Sequence, residues 1–139
     1  ALAMLSAAEG DRRLADAHWR DALQASKEAA DDLVQMGWIR CSRATHVLDM
    51  GAPQQALIDA QIALDLGDRC ENPFLTAHAS TTRGKALVRL GMLDEALAAF
   101  GTAIDLFQNL GSRFLGWPLC GLGDLYRTRG QLVRARGAY

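Results

Sequence analysis

The sequence predicts an all-α protein, a superhelical stack of antiparallel helix hairpins with about 3.5 repeats. Four glycines recur at intervals of 41, 40 and 39 residues, and alanine stands five residues after each of them. The position nine residues after the glycine is aromatic in three of the four copies. The glycines are Gly10, Gly51, Gly91 and Gly130. Because a fixed period is the signature of a repeat architecture, we treat residues 1–139 as one helical-repeat domain.

The segment after each glycine predicts an amphipathic helix, and the clearest copy follows Gly91. Its apolar residues recur at the i, i+3, i+4, i+7 spacing that places them on one stripe of a helix. The predicted stripe consists of Leu93, Ala96, Leu97, Phe100, Ala103, Ile104 and Phe107. One hairpin cannot bury this stripe alone, so neighbouring copies must cover it.

The segment before each glycine predicts the other helix of the hairpin. Small residues stand seven positions before the glycine and allow two helices to approach closely. They are Ala3, Ala44, Gly84 and Gly123, and three residues further on stand Ser6, Val47, Leu87 and Tyr126. Each repeat is therefore predicted as two antiparallel helices with glycine at the tight turn.

The three prolines agree with this assignment. Proline is tolerated in the first turn of a helix, because its missing N–H would have no intrahelical partner there. Pro53 is predicted at the start of a second helix, and Pro73, after the N-cap Asn72, at the start of a first helix. Pro118 marks either a helix start or a bent first turn.

Other glycines and the two chain ends complete the parsing. Gly67 and Gly111 are predicted in the connections between repeats, as is Gly37 unless residues 24–35 extend the preceding helix. Residues 1–9 are predicted as the end of a first helix, and Tyr139 as part of an incomplete second helix. Because solenoid ends normally carry polar caps, we expect a fragment of a longer protein; fraying of the last helix is the alternative.

Composition and charge narrow the classes of function. The formal net charge is -1, from 15 basic and 16 acidic residues, so no global field attracts nucleic acid or an anionic membrane. No run approaches the ~20 apolar residues that span a bilayer, and the first residues lack the basic region of a signal peptide. Cys41, Cys70 and Cys120 form no C-x-x-C pair, which favours a reducing, cytoplasmic location. Cys41 and Cys120 are expected as small buried residues.

Sequence motifs for enzymatic chemistry are absent. The chain has no G-x-x-x-x-G-K-[ST] loop, no G-x-S-x-G and no H-E-x-x-H. Gly121 and Gly123 lie in a predicted helix and are assigned to close packing. The histidines His18, His46 and His78 fall on three different helices, without cysteine or carboxylate at the short spacings of a metal site. We therefore expect no catalytic residue, no metal and no cofactor.

Residues 79–107 and 121–139 resemble the tetratricopeptide repeat. Its signature is Leu-Gly, an aromatic residue, Gly-x-x-x-x-Ala, then an aromatic residue and alanine. The last copy matches at Leu122, Gly123, Tyr126, Gly130, Ala135 and Tyr139, and the copy before it at Gly84, Gly91, Ala96, Phe100 and Ala103. Arg83 and Leu87 depart from the signature, where leucine and an aromatic residue are usual. The resemblance implies a right-handed superhelix of helix hairpins.

The repeat length adds a narrower resemblance. Ordinary tetratricopeptide repeats recur every ~34 residues, whereas this interval is about 40. A stretched repeat, and residues 106–136 in particular, are similar to the tails of large bacterial transcription regulators: LuxR-type activators, including maltose-activator-like proteins, and antibiotic regulatory proteins. There the tail senses signals and docks partners, while ATP hydrolysis and DNA binding lie elsewhere. The resemblance implies a sensor or partner-docking module.

The resemblance also implies where a partner binds. In tetratricopeptide arrays the first helix of each hairpin lines a concave groove through positions two, five, nine, twelve and thirteen. Counted from Gly37, Ala77 and Gly116, the ten predicted site residues are Trp38, Thr45, Asp49, His78, Thr81, Lys85, Arg89, Trp117, Asp124 and Arg127. The remaining groove positions are Cys41, Leu48, Val88, Cys120 and Thr128.

The chemistry of the ten residues suits recognition of a protein, a peptide or a small-molecule effector. Arg89 and Arg127 offer planar donor forks for carboxylate or phosphate, and Trp38 and Trp117 offer flat apolar area. Two simpler interpretations stay open: tryptophans that pack between repeats, and charges that form a solvated ion-pair surface. The alternative function is structural, either homo-oligomeric assembly through the terminal helices or a scaffold in a multiprotein complex.

Overall fold

The computed structural model describes residues 12–28, 33–111 and 113–137, which form six α-helices and one short 3-10 helix. The helices are α1 (Arg12–Glu28), α2 (Leu33–Asp49), α3 (Pro53–Arg69), α4 (Pro73–Arg89), α5 (Leu93–Asn109), the 3-10 helix (Arg113–Leu115) and α6 (Gly116–Gly137). These described residues contain no β-strand, which confirms the all-α class. Each helix packs on the next, and α4 also contacts α2 and α6. Within the described ranges, no helix is long and apolar enough to cross a bilayer.

Two consecutive hairpins, α2–α3 and α4–α5, have the same dimensions. Their four helices are each 17 residues long, and every helix boundary of the first hairpin recurs 40 residues later in the second. This offset equals the predicted interval between Gly51 and Gly91. The structure therefore agrees with the predicted helical-repeat architecture over residues 33–109.

Glycine makes the turn inside each of these hairpins. Gly51 has a φ of 84° and Gly91 a φ of 76°, a left-handed conformation that a β-carbon disfavours. In both turns the glycine N–H donates to the carbonyl three residues back, and the next N–H donates to the carbonyl five residues back. This Schellman arrangement satisfies carbonyls at the end of the first helix. The predicted turns at Gly51 and Gly91 are confirmed.

The connection from α3 to α4 turns at Glu71 and not at Gly67, so that prediction is wrong. Glu71 has a φ of 52°, in the same left-handed region as the turn glycines. Gly67 lies inside α3, where a β-carbon would approach the Thr76 hydroxyl oxygen to 2.6 Å. Gly67 therefore permits close packing of α3 on α4. Gly111, with a φ of 62°, follows α5 as predicted.

The prolines start helices as the sequence predicts. Pro53 and Pro73 are the first residues of α3 and α4, and Pro118 lies in the first turn of α6. The side-chain oxygen of Asn72 accepts a hydrogen bond from the Leu75 N–H at 3.0 Å, which caps α4. The helix-start interpretation of Pro118 is thus confirmed.

Gly37, in contrast, does not lie in a connection. It is buried within α2, where a β-carbon would come within 2.4 Å of the Leu75 side chain on α4. The glycine therefore permits α2 and α4 to pack closely, and a helix tolerates it because tertiary contact outweighs its low intrinsic propensity.

The apolar stripe of α5 is confirmed in most positions. Ala96, Phe100, Ala103 and Phe107 are buried, and Leu93 and Ile104 are partly buried. Leu97, however, is 37 % exposed, whereas Ala99 is buried in a cluster with Leu87 and Leu125. Because α6 covers the Ala99 side of α5, Leu97 lies on the opposite side, about 200° around the helix.

Phe100 is the large residue at the crossing of α4, α5 and α6. A β-carbon at Gly84 would lie 2.6 Å from its ring, and a β-carbon at Gly121 would lie 2.3 Å from it. The predicted close packing is therefore confirmed at Gly84 and Gly121. It is wrong for Gly123, which is exposed and has no atom within 4 Å of a built β-carbon. The Phe100 ring brings α6 into contact through a different face.

The predicted turn at Gly130 is wrong, because α6 continues through it to Gly137. Gly130 does not share the positive φ of the turn glycines. A glycine inside a helix costs only about 1 kcal/mol relative to alanine, and residues 131–136 are compatible with a helix, so glycine alone does not end α6. The predictions for Ala3, Ser6, Gly10, residues 1–9 and Tyr139 lie outside the described residues.

One charge network is buried between α2 and α3. The Asp59 carboxylate is fully buried, and Arg40 Nη1 donates to its Oδ1 at 3.0 Å. Arg43 Nε lies 3.5 Å from Asp59 Oδ2. The two guanidinium groups compensate for the lost hydration of the carboxylate and fix α2 relative to α3.

Candidate ligand-binding groove

Helices α2, α4 and α6 line a groove with two adjoining cavities of about 520 Å³ and 580 Å³. The aromatic compartment is lined by Trp19, Trp38, Cys41, Ser42, Thr45, His46, Asp49, His78, Thr81, Thr82, Lys85 and Trp117. The charged compartment is lined by Thr45, Leu48, Asp49, Thr82, Lys85, Val88, Arg89, Phe100, Gly121, Asp124, Arg127 and Thr128. Four residues belong to both linings, so the compartments form one continuous groove.

The structure brings all ten predicted site residues to this groove. Trp38, His78, Thr81 and Trp117 line the aromatic compartment, Arg89, Asp124 and Arg127 the charged compartment, and Thr45, Asp49 and Lys85 both. Cys41 is buried, as expected, at the groove wall. Cys120 is exposed and lies in neither lining, so its expected burial is wrong: α6 faces the groove through Gly121 and Asp124.

His78 lies at the centre of a cluster of rings. The cluster consists of Trp38, Phe74, His78, Phe107, Phe114 and Trp117. The His78 centroid lies 4.6 Å from that of Trp117, 4.8 Å from that of Phe74 and 5.1 Å from that of Trp38, all edge-to-face. Ring quadrupoles favour this geometry. Because the rings come from α2, α4, α5, the 3-10 helix and α6, the cluster holds both groove tryptophans in place.

Burial and one nearby cation set the protonation of the groove wall. Burial lowers the pKa of His78 to about 4, and the Lys85 ammonium acts in the same direction. The imidazole is therefore neutral near pH 7. Burial raises the pKa of the Cys41 thiol, whose Sγ lies 3.8 Å from the Thr82 hydroxyl oxygen. A thiol with a raised pKa is a poor nucleophile at neutral pH.

The charged compartment holds cations without counter-ions. Among the described residues, Lys85 and Arg89 form no ion pair, and Asp49 has no basic partner. Arg127 pairs with Asp124 three residues earlier on α6, an exposed contact that contributes little stability. A fully paired, solvated surface is therefore realised at the α6 pair and not at Lys85 or Arg89.

The sequence did not indicate two side chains that close the aromatic compartment. Trp19 on α1 and His46 on α2 have ring centroids 6.3 Å apart. Trp19 Nε1 and His46 Nε2 are buried and have no hydrogen-bond partner among the described residues. Trp19 stands nine residues after Gly10, a position that the repeat pattern assigns to the core, and the equivalence with core residues hid its second role. In the described ranges, no group of three or more His, Cys, Asp or Glu residues could hold a metal ion.

Comparisons of the chain with protein-family models, with curated proteins and with solved structures found no match. The resemblance to the tetratricopeptide repeat therefore depends on the residues quoted above. The structure itself defines an all-α, repeat-like protein with a two-compartment groove along α2, α4 and α6.

Proposed function

We propose that this chain is a non-catalytic binding module that holds a protein segment or a small-molecule effector in its groove. The observation that carries the proposal is the continuity of an aromatic and a charged compartment along three helices. Ligand sites typically have volumes of roughly 300–1,000 Å³ and combine apolar walls with a few polar groups. Both compartments fall in this range, and the unpaired Lys85 and Arg89 supply polar anchors.

We further interpret the fold as a right-handed, tetratricopeptide-like stack of about 3.5 repeats in a cytoplasmic protein. The 40-residue offset between hairpins and the glycine turns support this interpretation. The resemblance of residues 106–136 to regulator tails supports a place in a larger bacterial transcription regulator, as its sensor or docking region. Nucleic acid binding would then belong to other parts of that regulator.

The proposed mechanism is a population shift. A ligand in the groove contacts α2, α4 and α6 at once, so it favours the curvature of the stack in which those contacts are best formed. A tenfold preference for one curvature corresponds to about 1.4 kcal/mol. An attached domain would read this difference as a change in helix packing.

Screening with a matched pair of variants tests the proposal. The chain would be screened against random peptides and a small-molecule fragment library, and the hits would be titrated by calorimetry. The groove variant combines Arg89→Ala, Trp117→Ala and Arg127→Ala, all at exposed positions. We expect it to weaken binding about tenfold or more, because aromatic and arginine anchors dominate binding energy.

The control variant removes similar side chains outside both compartments. It combines Arg20→Ala, Arg69→Ala and Leu97→Ala, which are also exposed. We expect it to bind as the unmodified chain does. Hits that bind the groove variant with unchanged affinity, or a complete lack of hits, would contradict the proposal.

One observation favours the alternative function, self-assembly. Gly123 and Tyr126 on α6 are exposed, Tyr126 by 55 %. The equivalent residues of the two preceding first helices are buried: Ala44, Val47, Gly84 and Leu87. Leu119 and Val133 flank Tyr126 at seven-residue spacing and are also exposed, so they share its helix face. This stripe would pack on the same stripe of a second copy in a two-fold dimer.

Sedimentation equilibrium tests that alternative. A dimer through this stripe should be lost in Tyr126→Arg and kept in Leu110→Arg, which alters an exposed leucine elsewhere. A chain that stays monomeric over a wide concentration range would rule out assembly through α6.

A further inference from the structure

The aromatic compartment presents flat surface to a ligand. Trp38 and Trp117 both pack against the His78 ring, at centroid distances of 5.1 Å and 4.6 Å. Trp117 still exposes 46 % of its surface, although it is anchored in the ring cluster. A rigid indole with exposed area beside other rings favours stacking of a planar partner. The ring cluster therefore orients a surface without being fully covered by the protein itself.

Lys85 supplies the positive charge of this compartment. Its ammonium acts on both His78 and Cys41, which places the charge among the cavity walls. Within the described chain, Lys85 has no counter-ion. Asp49, the acidic residue of the lining, lies where the two compartments meet. A cation beside apolar rings attracts an anion more strongly than it would in bulk water.

The hydrogen-bonding groups of the walls point the same way. The hydroxyls of Thr45, Thr81 and Thr82 donate to backbone carbonyls of their own helices. Trp19 is only 7 % exposed, and its Nε1–H has no acceptor among the described residues. Lys85 Nζ and Trp19 Nε1 are thus donors that a ligand acceptor can satisfy, and an unsatisfied buried donor costs about 1–3 kcal/mol.

We infer that the aromatic compartment binds a planar organic anion, an aromatic or conjugated ring system that carries a carboxylate. The ring system stacks on Trp117, and the carboxylate lies at Lys85. This inference rests on the proposed function, because it names the ligand class of the same groove. A cavity of about 520 Å³ accommodates a tricyclic ring system.

Intrinsic fluorescence provides the readout. The chain has three tryptophans, Trp19, Trp38 and Trp117, and all three line this compartment. The probes are anthraquinone-2-carboxylate and 2-(hydroxymethyl)anthraquinone, which share a tricyclic ring system and differ in charge. We expect both to quench the indole emission, with the carboxylate bound about tenfold more tightly. Equal affinities would overturn the inference.

Charge variants then locate the anion. Lys85→Gln should bring the two probes to equal affinity, whereas Arg89→Gln, the matched cation of the charged compartment, should leave the tenfold difference. Asp49→Asn should strengthen carboxylate binding severalfold, since it removes a like charge. Circular dichroism checks that each variant is folded. A difference that survives Lys85→Gln, or carboxylate binding that weakens in Asp49→Asn, would refute the assigned orientation.

The two proposals can fail separately. If neither anthraquinone binds but screening hits still depend on the groove residues, the planar-anion inference falls and the binding module stands. If the probes bind and Trp117→Ala does not weaken them, stacking in this compartment is excluded. If neither the probes nor the screen yields groove-dependent binding, both proposals fall.

Discussion

Among single residues, Asp59 differs most from the charges of the groove. Its carboxylate is fully buried, while Arg40 and Arg43 keep 22 % and 24 % of their side chains exposed. Breaking a buried pair strands an uncompensated charge, whereas exposed pairs contribute little. Asp59 therefore belongs to the stability of the α2–α3 hairpin, and Lys85 and Arg89 remain available for binding.

Asp59→Asn should lower the free energy of unfolding by about 1–3 kcal/mol, because it leaves two partly buried guanidinium groups without their carboxylate. Asp65→Asn, on the exposed side of the same helix, should change it by less than about 0.5 kcal/mol. Urea denaturation measures both values. Similar values for the two variants would show that the buried network is not stabilising.

His78 makes stability depend on pH in a defined direction. Its folded-state pKa of about 4 lies below the usual value of 6.5, so the unfolded chain binds more protons between these pH values. The stabilisation by neutral His78 is complete above about pH 6.5 and decreases as the pH falls through 4. His78→Phe keeps a ring in the cluster and removes this titration.

Between about pH 7 and pH 4, the free energy of unfolding of the unmodified chain should fall by roughly 1–2 kcal/mol more than that of His78→Phe, after allowance for screening at the open groove. Denaturant titrations at a series of pH values give both curves. Parallel pH profiles would contradict the assignment of a low pKa to His78.

Sequence periodicity located the groove residues but not their surroundings. Thr45, Lys85 and Arg89 were predicted because helix faces follow from spacing. Trp19 and the Asp59 network were not, because both depend on contacts between residues that are 19 or more positions apart, such as Arg40 and Asp59. Spacing along one helix carries no information about which side chains a neighbouring helix brings opposite.

Among the elements, the contact of α6 with α5 is the most sensitive to side-chain size. Phe100 fills the space in which Gly84 and Gly121 leave room for its ring. Gly121→Ala should destabilise the chain by about 1–3 kcal/mol, because the added methyl overlaps a buried ring. Phe100→Leu in the Gly121→Ala background should recover part of this loss.

Gly123→Ala is the matched control on the same helix. Its β-carbon meets no atom within 4 Å, so the variant should be neutral or more stable by up to about 1 kcal/mol. Thermal unfolding of the two variants makes the comparison. Equal destabilisation by both would show that α6 packs through another face.

The turn elements show how far glycine can be interpreted without the structure. At Gly51 and Gly91, a helix start follows within two residues, and both glycines turn the chain. At Gly130 the following residues favour a helix, and α6 continues. Glu71 turns the chain with a side chain of low preference for positive φ, so residue type alone did not reveal it.

In the whole molecule, α4 is the helix with most neighbours. It contacts α2, α3, α5 and α6, whereas the last part of α6 presents exposed residues 130–133. Amide hydrogen exchange should therefore be slowest in α4 and fastest in residues 131–137, with a gradient between them. Exchange in residues 131–137 as slow as in α4 would show that this part of α6 is covered in solution.

The two hairpins place their bulk in different layers. At three equivalent positions, the first hairpin and its following helix carry Ala44, Ala60 and Thr82, and the second carries Gly84, Phe100 and Gly121. The large residue has moved from the first-helix layer to the second-helix layer, although the backbone offset is constant at 40 residues. The hairpins are consequently not exchangeable modules: grafting α5 in place of α3 would set Phe100 against Ala44 and Thr82, and a functional chimera would need glycine at both positions.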